Sequence, residues 1–174
     1  RLMKKFDQRQ TTRPPTKIHY LSNNRIYAIH RDKSKKVWIG TGGGLNILNI
    51  PTGGITKYNH NAEDERTISS NIIRCIFEDK KGRVWIGTED AGLNLYEKGT
   101  FSRFLKDEND LFSIGGNDIR SIVEDKNGFL WIATFDGGLN KFDPENKKFT
   151  RYIHQENNSN SISNNSIYSL FLDA

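Results

Sequence analysis

The stretch "VWIGTGGGLN" at 37–46 returns as "VWIGTEDAGLN" at 84–94 and as "LWIATFDGGLN" at 130–140. Trp38, Trp85 and Trp131 therefore lie 47 and 46 residues apart. The same offsets, with 48 to a fourth member, link Leu21, Ile68, Ile114 and Ile162, then Asn24, Asn71, Asn117 and Asn165. They also link Ile26, Ile73, Ile119 and Ile167, and the series Asp32, Asp79, Asp125 and Asp173. A chain that repeats itself builds one supersecondary unit per repeat and buries each unit against the next. Helical repeats would carry a 3.6-residue apolar period, whereas these units are short alternating runs between Gly, Asn and Asp turns. The expected fold is all-β, a β-propeller segment of four-stranded antiparallel blades.

Each unit reads as four strands. The first, "IRCIFED" at 73–79, alternates so as to place Ile73, Cys75 and Phe77 on one face and Ile76 on the other, which suits an inner strand between blades. Its third position is always small (Ala28, Cys75, Ser121, Ser169), as converging strands require, so Cys75 is read as packing rather than as a nucleophile. The turns "DKKG" and "DKNG" close a hairpin, with Asp bonding the backbone ahead and Gly taking positive φ. Lys35 stands where Gly82 and Gly128 are expected, so it either adopts a left-handed conformation at about 1 kcal/mol or sits in a different turn. In the second strand, Gly40 and Gly87 (Ala133 in the third copy) leave room for a neighbouring backbone or an aromatic face. Gly-Gly-Leu-Asn then reverses into the third strand. The fourth, "ITKYNH", "TFSRFL" and "KFTRYIH", is outermost, with Lys57, Arg103 and Arg151 as its polar dressing.

These units divide the chain into 1–20, outer strands of an incomplete blade ("MKKFD" matching "LNKFD"); the blade repeats 21–67, 68–113 and 114–161; and 162–174, the inner strand of a next blade. Propellers close with four to eight blades. The chain is thus expected to be part of a larger propeller, its partners being the remaining blades of the same protein. With its terminal faces bare, the isolated segment is expected to self-associate.

Composition adds little. Net charge is +5, far short of the basic stripe of a nucleic-acid binder, and one cysteine excludes a disulfide framework or thiolate cluster. The sequence contains no run of about 18 apolar residues and no apolar stretch of signal-peptide type, so no membrane contact by this segment is expected.

The pattern Ser-x-Asn-x-Ile, then Asp-x-x-Gly-x-x-Trp-Ile-Gly-Thr-x-x-x-Gly-Leu-Asn, at 21–46, 68–94 and 114–140, resembles the two-component regulator propeller repeat. Departures are Lys35, Ala133 and a one-residue deletion in the 41–45 loop. The resemblance implies the periplasmic sensor region of a hybrid two-component histidine kinase of the kind known from Bacteroides-type bacteria. It further implies an oligosaccharide from polysaccharide breakdown as ligand.

The second position of each inner strand offers Tyr27, Arg74, Arg120 and Tyr168 at the mouth of the central channel, an aromatic and guanidinium set suited to a sugar; packing between blades or solvation is the alternative. The turn cations Lys33, Lys35, Lys36, Lys80, Lys81, Arg83 and Lys126 gather on one rim, where they either attract sulfated or uronic-acid glycans or are solvated tips. A propeller enzyme, lyase or glycosidase-like, is the alternative function. Against it, His19, His30, His60 and His154 do not converge, the last two pointing to solvent, and Glu78 and Glu124 sit in hairpins beside the capping Asp79 and Asp125. No catalytic residue, metal or cofactor is expected. A protein-interaction scaffold would be marked by an exposed apolar patch.

Overall fold

A computed structural model describes residues 20–173. The expectation for residues 1–20, apart from Tyr20, lies outside the described residues. Among the described residues, twelve strands form three antiparallel sheets. The first blade is β1 (Ile26–Arg31), β2 (Lys36–Thr41), β3 (Gly44–Asn49) and β4 (Ile55–Tyr58). The second is β5 (Ile73–Glu78), β6 (Val84–Thr88), β7 (Leu93–Glu97) and β8 (Thr100–Phe104), and the third is β9 (Ile119–Glu124), β10 (Leu130–Thr134), β11 (Leu139–Asp143) and β12 (Lys148–Tyr152). Strand order follows chain order in every sheet, and the inner strands β1, β5 and β9 lie beside one another. Among the described residues no helix is long and apolar enough to cross a membrane.

The repeated aspartate and tryptophan form one clasp. Asp32, Asp79 and Asp125 each accept the indole N–H of the tryptophan six residues on, at 2.8, 3.0 and 3.0 Å. Each also accepts the backbone N–H that closes the hairpin, from Lys36, Arg83 and Phe129. Of the two readings of Lys35, the left-handed one holds, with φ 68° against 80° and 86° at Gly82 and Gly128.

Blades meet through two apolar seams. Trp38, Leu45, Ile47 and Tyr58 of the first blade pack on Ile73, Ile76, Ile86, Tyr96 and Phe101 of the second. Trp85, Leu93, Leu95 and Phe104 of the second pack on Ile119, Ile122, Ile132, Phe142 and Phe149 of the third. Burying one such aliphatic side chain contributes about 1.5–3 kcal/mol, which makes the seams the main stabilising feature. The seam also corrects the expected faces of β5. Ile73 shares the first seam with Ile76, while Cys75 and Phe77 belong to the second. The cause is a bulge: Ile73 pairs with Thr88 and Cys75 with Gly87, leaving Arg74 as an extra residue that inverts the alternation.

The strand glycines make room for the inner strand of the next blade, at Gly40 for its backbone as well as its side chain, and not for a ring. A Cβ on Gly40 would stand 2.6 Å from Ile73 Cγ2, and one on Gly87 2.6 Å from Ile119 Cγ2.

Polar repeats lock the connections. Asn46, Asn94 and Asn140, all fully buried, accept the backbone N–H of Ser22, Ser69 and Gly115. Asn71, Asn117 and Asn165 accept the N–H of His60, Lys106 and His154, each two residues past the preceding outer strand. Arg103 and Arg151 do more than dress an edge. Arg103 donates to Thr67 O and Asp64 O at 3.0 Å, and Arg151 to Ser113 O and Asp110 O at 2.8 Å, pinning the connection over the outer strand.

Residues 162–173 were expected as an inner strand and form none. They lie against the third blade through Ile167 N–H to Thr134 O (2.9 Å) and Leu170 N–H to Ser121 Oγ (3.1 Å). A ladder needs a second strand as partner, and among the described residues none pairs with this segment.

Candidate ligand site at the inner-strand ends

The same bulge recurs in all three blades. Ile26 and Ala28 face Thr41 and Gly40, Ile73 and Cys75 face Thr88 and Gly87, and Ile119 and Ser121 face Thr134 and Ala133. The extra residue is Tyr27, Arg74 or Arg120. A bulge re-aims its side chain out of the sheet alternation. Across it, the N–H of Gly42, Glu89 and Phe135 closes back to the carbonyl of Arg25, Ile72 and Asp118 at 2.9, 3.1 and 2.9 Å. Each blade therefore contributes three positions to this end: the residue before the inner strand, the bulged residue, and the residue after the second strand.

The predicted residues form two groups rather than one. The Arg74 guanidinium lies 4.3 Å from the Tyr27 ring centroid and is ion-paired with Glu89. Arg120 pairs with Asp118 at 2.5 Å and faces the rings of Phe135 and Tyr168 at 5.1 and 5.9 Å, these two rings meeting edge to face. A charge-assisted pair on an aromatic face fixes a long side chain that would otherwise sample many rotamers. Burial pushes the Asp118 carboxyl above its ordinary range and the Glu89 charge adds to the rise, against the opposing pull of Arg120 and Arg74. Three buried polar atoms of the row, Arg74 Nε, Arg120 Nε and Asp118 Oδ1, have no hydrogen-bond partner. Such atoms are rare in interiors and favour a polar ligand group that would satisfy them.

Sequence reasoning missed Arg25, Gly42, Glu89, Asp118 and Phe135. The signal lay in the repeat itself. Thr41, Thr88 and Thr134 are invariant between copies, while the next residue is Gly, Glu or Phe. A position that varies inside a fixed frame is one that the frame does not need.

Four of the rim cations are tied to neighbouring hairpins rather than left as solvated tips. Lys33 donates its N–H to Glu78 and its ammonium to Asp79 O and Lys80 O at 3.1 Å; Lys80 N–H reaches Glu124 at 2.7 Å and its ammonium reaches Asp125 O at 2.8 Å. Lys81 and Arg83 share Glu145 of the next blade. The hairpins thereby staple blade to blade, which also explains Glu78 and Glu124. His154 is exposed and His60 half-buried, and the Nδ1 atom of each pairs with a backbone carbonyl, Ile162 O at 2.8 Å and Ile68 O at 3.0 Å. His30 lies 3.5 Å from Glu78, and His19 is outside the described residues. Cys75 packs as expected, and burial pushes its thiol up to about 12.

Residues 20–43, 67–90 and 113–136 match the family model of the two component regulator propeller. The chain is similar to the extracellular domain of a B. thetaiotaomicron protein named as a hybrid two component system, at 29% identity and TM-score 0.69, over 76% of this chain and 19% of that one. A second such domain from the same organism matches at 27% identity and TM-score 0.70, over 88% of this chain and 20% of that one. The chain thus spans about a fifth of the length of these two. Virginiamycin B lyase from Staphylococcus aureus shares the fold, at 20% identity and TM-score 0.56, over 74% of this chain and 41% of that one. No curated protein matches.

Proposed function

Since this chain carries three two-component regulator propeller repeats, we propose that it is an extracytoplasmic ligand-sensing segment of a hybrid two-component histidine kinase. Its likeness to two extracellular domains of such systems, at 29% and 27% identity, supports the sensing role and the location, which in a diderm cell is the periplasm. The ligand in this reading is an oligosaccharide from polysaccharide breakdown, held at the inner-strand ends. The observation that carries it is the row of Tyr27, Arg74, Arg120 and Tyr168, in which guanidinium groups lie on aromatic rings with both Nε atoms unsatisfied. Flat rings offer a platform to the apolar face of a sugar, and fork-shaped donors bind its hydroxyls.

The segment itself acts as a receptor, not a catalyst. Its described histidines are engaged with backbone carbonyls or Glu78, and its hairpin carboxylates with neighbouring blades. The remaining blades of the same protein are its proposed partners, and the isolated segment self-associates through its open faces: Ile26 and Ile29 are 45% and 67% exposed, where their counterparts Ile119 and Ile122 are at most 6%.

The test is calorimetric titration of the chain with a panel of oligosaccharides. Saturable binding without turnover is expected, weakened about tenfold or more by Arg74→Ala or Arg120→Ala, since each removes a charged hydrogen-bond donor. Binding of no member of the panel, or hydrolysis of one, refutes the reading.

A further inference from the structure

The first blade differs from the others at the position after its second strand. In the second blade Glu89 stands there and pairs with the bulged Arg74; in the third Phe135 stands there and lies beneath Arg120. The first blade has Gly42. Its missing side chain leaves the Tyr27 ring open to a cleft of about 390 Å³, lined also by Asn23, Arg25, Arg74 and Glu89.

That cleft is rich in donors and poor in acceptors. Arg25 is exposed and its guanidinium forms no ion pair among the described residues. Arg74 Nε is buried without a partner although the same guanidinium is paired with Glu89 through another nitrogen. Two guanidinium groups and one carboxylate line the cleft, which leaves one net positive charge. A single negative charge would neutralise it. The planar guanidinium of Arg74, stacked on Tyr27, favours a flat group, and an Arg fork matches the two oxygens of a carboxylate.

Resting on the sensing role proposed above, we propose that the Gly42 cleft binds the carboxylate of an acidic sugar. The ligand group takes the place that Glu89 holds in the second blade, between Arg25 and Arg74. This assigns the acidic specificity to the first blade and leaves the third blade's Phe135–Tyr168 platform for a neutral part of the ligand.

The experiment is calorimetric titration of the chain with sodium glucuronate, glucose 6-sulfate, glucose and a panel of neutral oligosaccharides, repeated on two variants. Gly42→Glu places an internal carboxylate in the gap. A Cβ there meets nothing closer than Tyr27 Cε2 at 3.5 Å, and Gly42 has no left-handed φ, so the variant is expected to fold, with an unfolding midpoint equal to that of the parent as the check. Arg25→Gln keeps an exposed polar side chain and removes the charge. Glucuronate is expected to bind at least about tenfold more tightly than glucose, to lose about tenfold on Arg25→Gln, and to be excluded by Gly42→Glu. Glucuronate binding no better than glucose, stronger binding of the sulfate, or binding that survives Gly42→Glu overturns the proposal. If neutral oligosaccharides bind and glucuronate does not, the acidic assignment fails alone; if no sugar binds, the sensing role fails with it.

Discussion

Placing one methyl group on Gly87 tests the seam between the second and third blades. The added Cβ would stand 2.5 Å from Cys75 Sγ, 2.6 Å from Ile119 Cγ2 and 2.8 Å from Ile119 Cβ, distances that carbon does not tolerate without movement. Ile119 is fully buried among Trp85, Leu130 and Phe142, so it has little freedom to retreat. Overpacking of this kind costs about 1–3 kcal/mol. Loss of glycine entropy in the unfolded chain returns about 0.4–1 kcal/mol. The expected net destabilisation of Gly87→Ala is therefore about 1–2 kcal/mol, or roughly 2–8 °C in the thermal midpoint of a domain this size. The assay is denaturant unfolding followed by tryptophan fluorescence, with Cys75→Ala and Ile119→Ala made singly and combined with Gly87→Ala. Each partner removes an atom from the overlap, so each double variant should be more stable than the sum of its singles by about 0.5–3 kcal/mol. Ala133→Gly, at the equivalent place in the third blade, should cost only about 0.5–1 kcal/mol, as glycine does within any strand. An unchanged midpoint for Gly87→Ala, or strict additivity in both doubles, would refute the claim that this glycine exists to admit Ile119.

Acid should loosen the hairpin clasps. Burial raises the Asp79 carboxyl, but hydrogen bonds from Trp85 and Arg83 outweigh it and hold the group below its ordinary 3.8; Asp32 and Asp125 follow the same balance. The stability they contribute is complete above the unfolded value and is lost as pH falls from there through the folded one. Unfolding midpoints between pH 7 and pH 3 should drop at the acid end, and less steeply in Asp79→Asn. With its thiol pushed up to about 12, half-buried Cys75 should resist a thiol-specific reagent at pH 8 in the folded protein and react on unfolding; rapid native labelling would contradict the raised thiol. Arg103→Lys, which loses the fork that holds Asp64 O and Thr67 O, should cost about 1–2 kcal/mol and expose residues 61–67 to proteolysis. Equal protease resistance would show that Phe101 N–H to Arg66 O suffices to hold that connection.

The amino-acid sequence by itself determined the repeat frame, the four-strand blade, the Asp-turn-Trp hairpin and the choice of Tyr27, Arg74, Arg120 and Tyr168 as site candidates. These follow from local periodicity and from turn chemistry that acts within a few residues. Tertiary structure alone decided the rest. Simple alternation put Ile73 with Cys75, and the bulge at Arg74 separated them, because a one-residue slip in register inverts every side chain beyond it. Whether Lys33 and Lys80 meet solvent or the next hairpin depends on how closely two blades approach, a distance not written in either repeat. The inner strand expected at 162–174 kept its pattern but not its structure, since a strand is defined by the partner it pairs with. The Gly42 cleft likewise exists only where two blades bring a missing side chain, an aromatic ring and two guanidinium groups to one place.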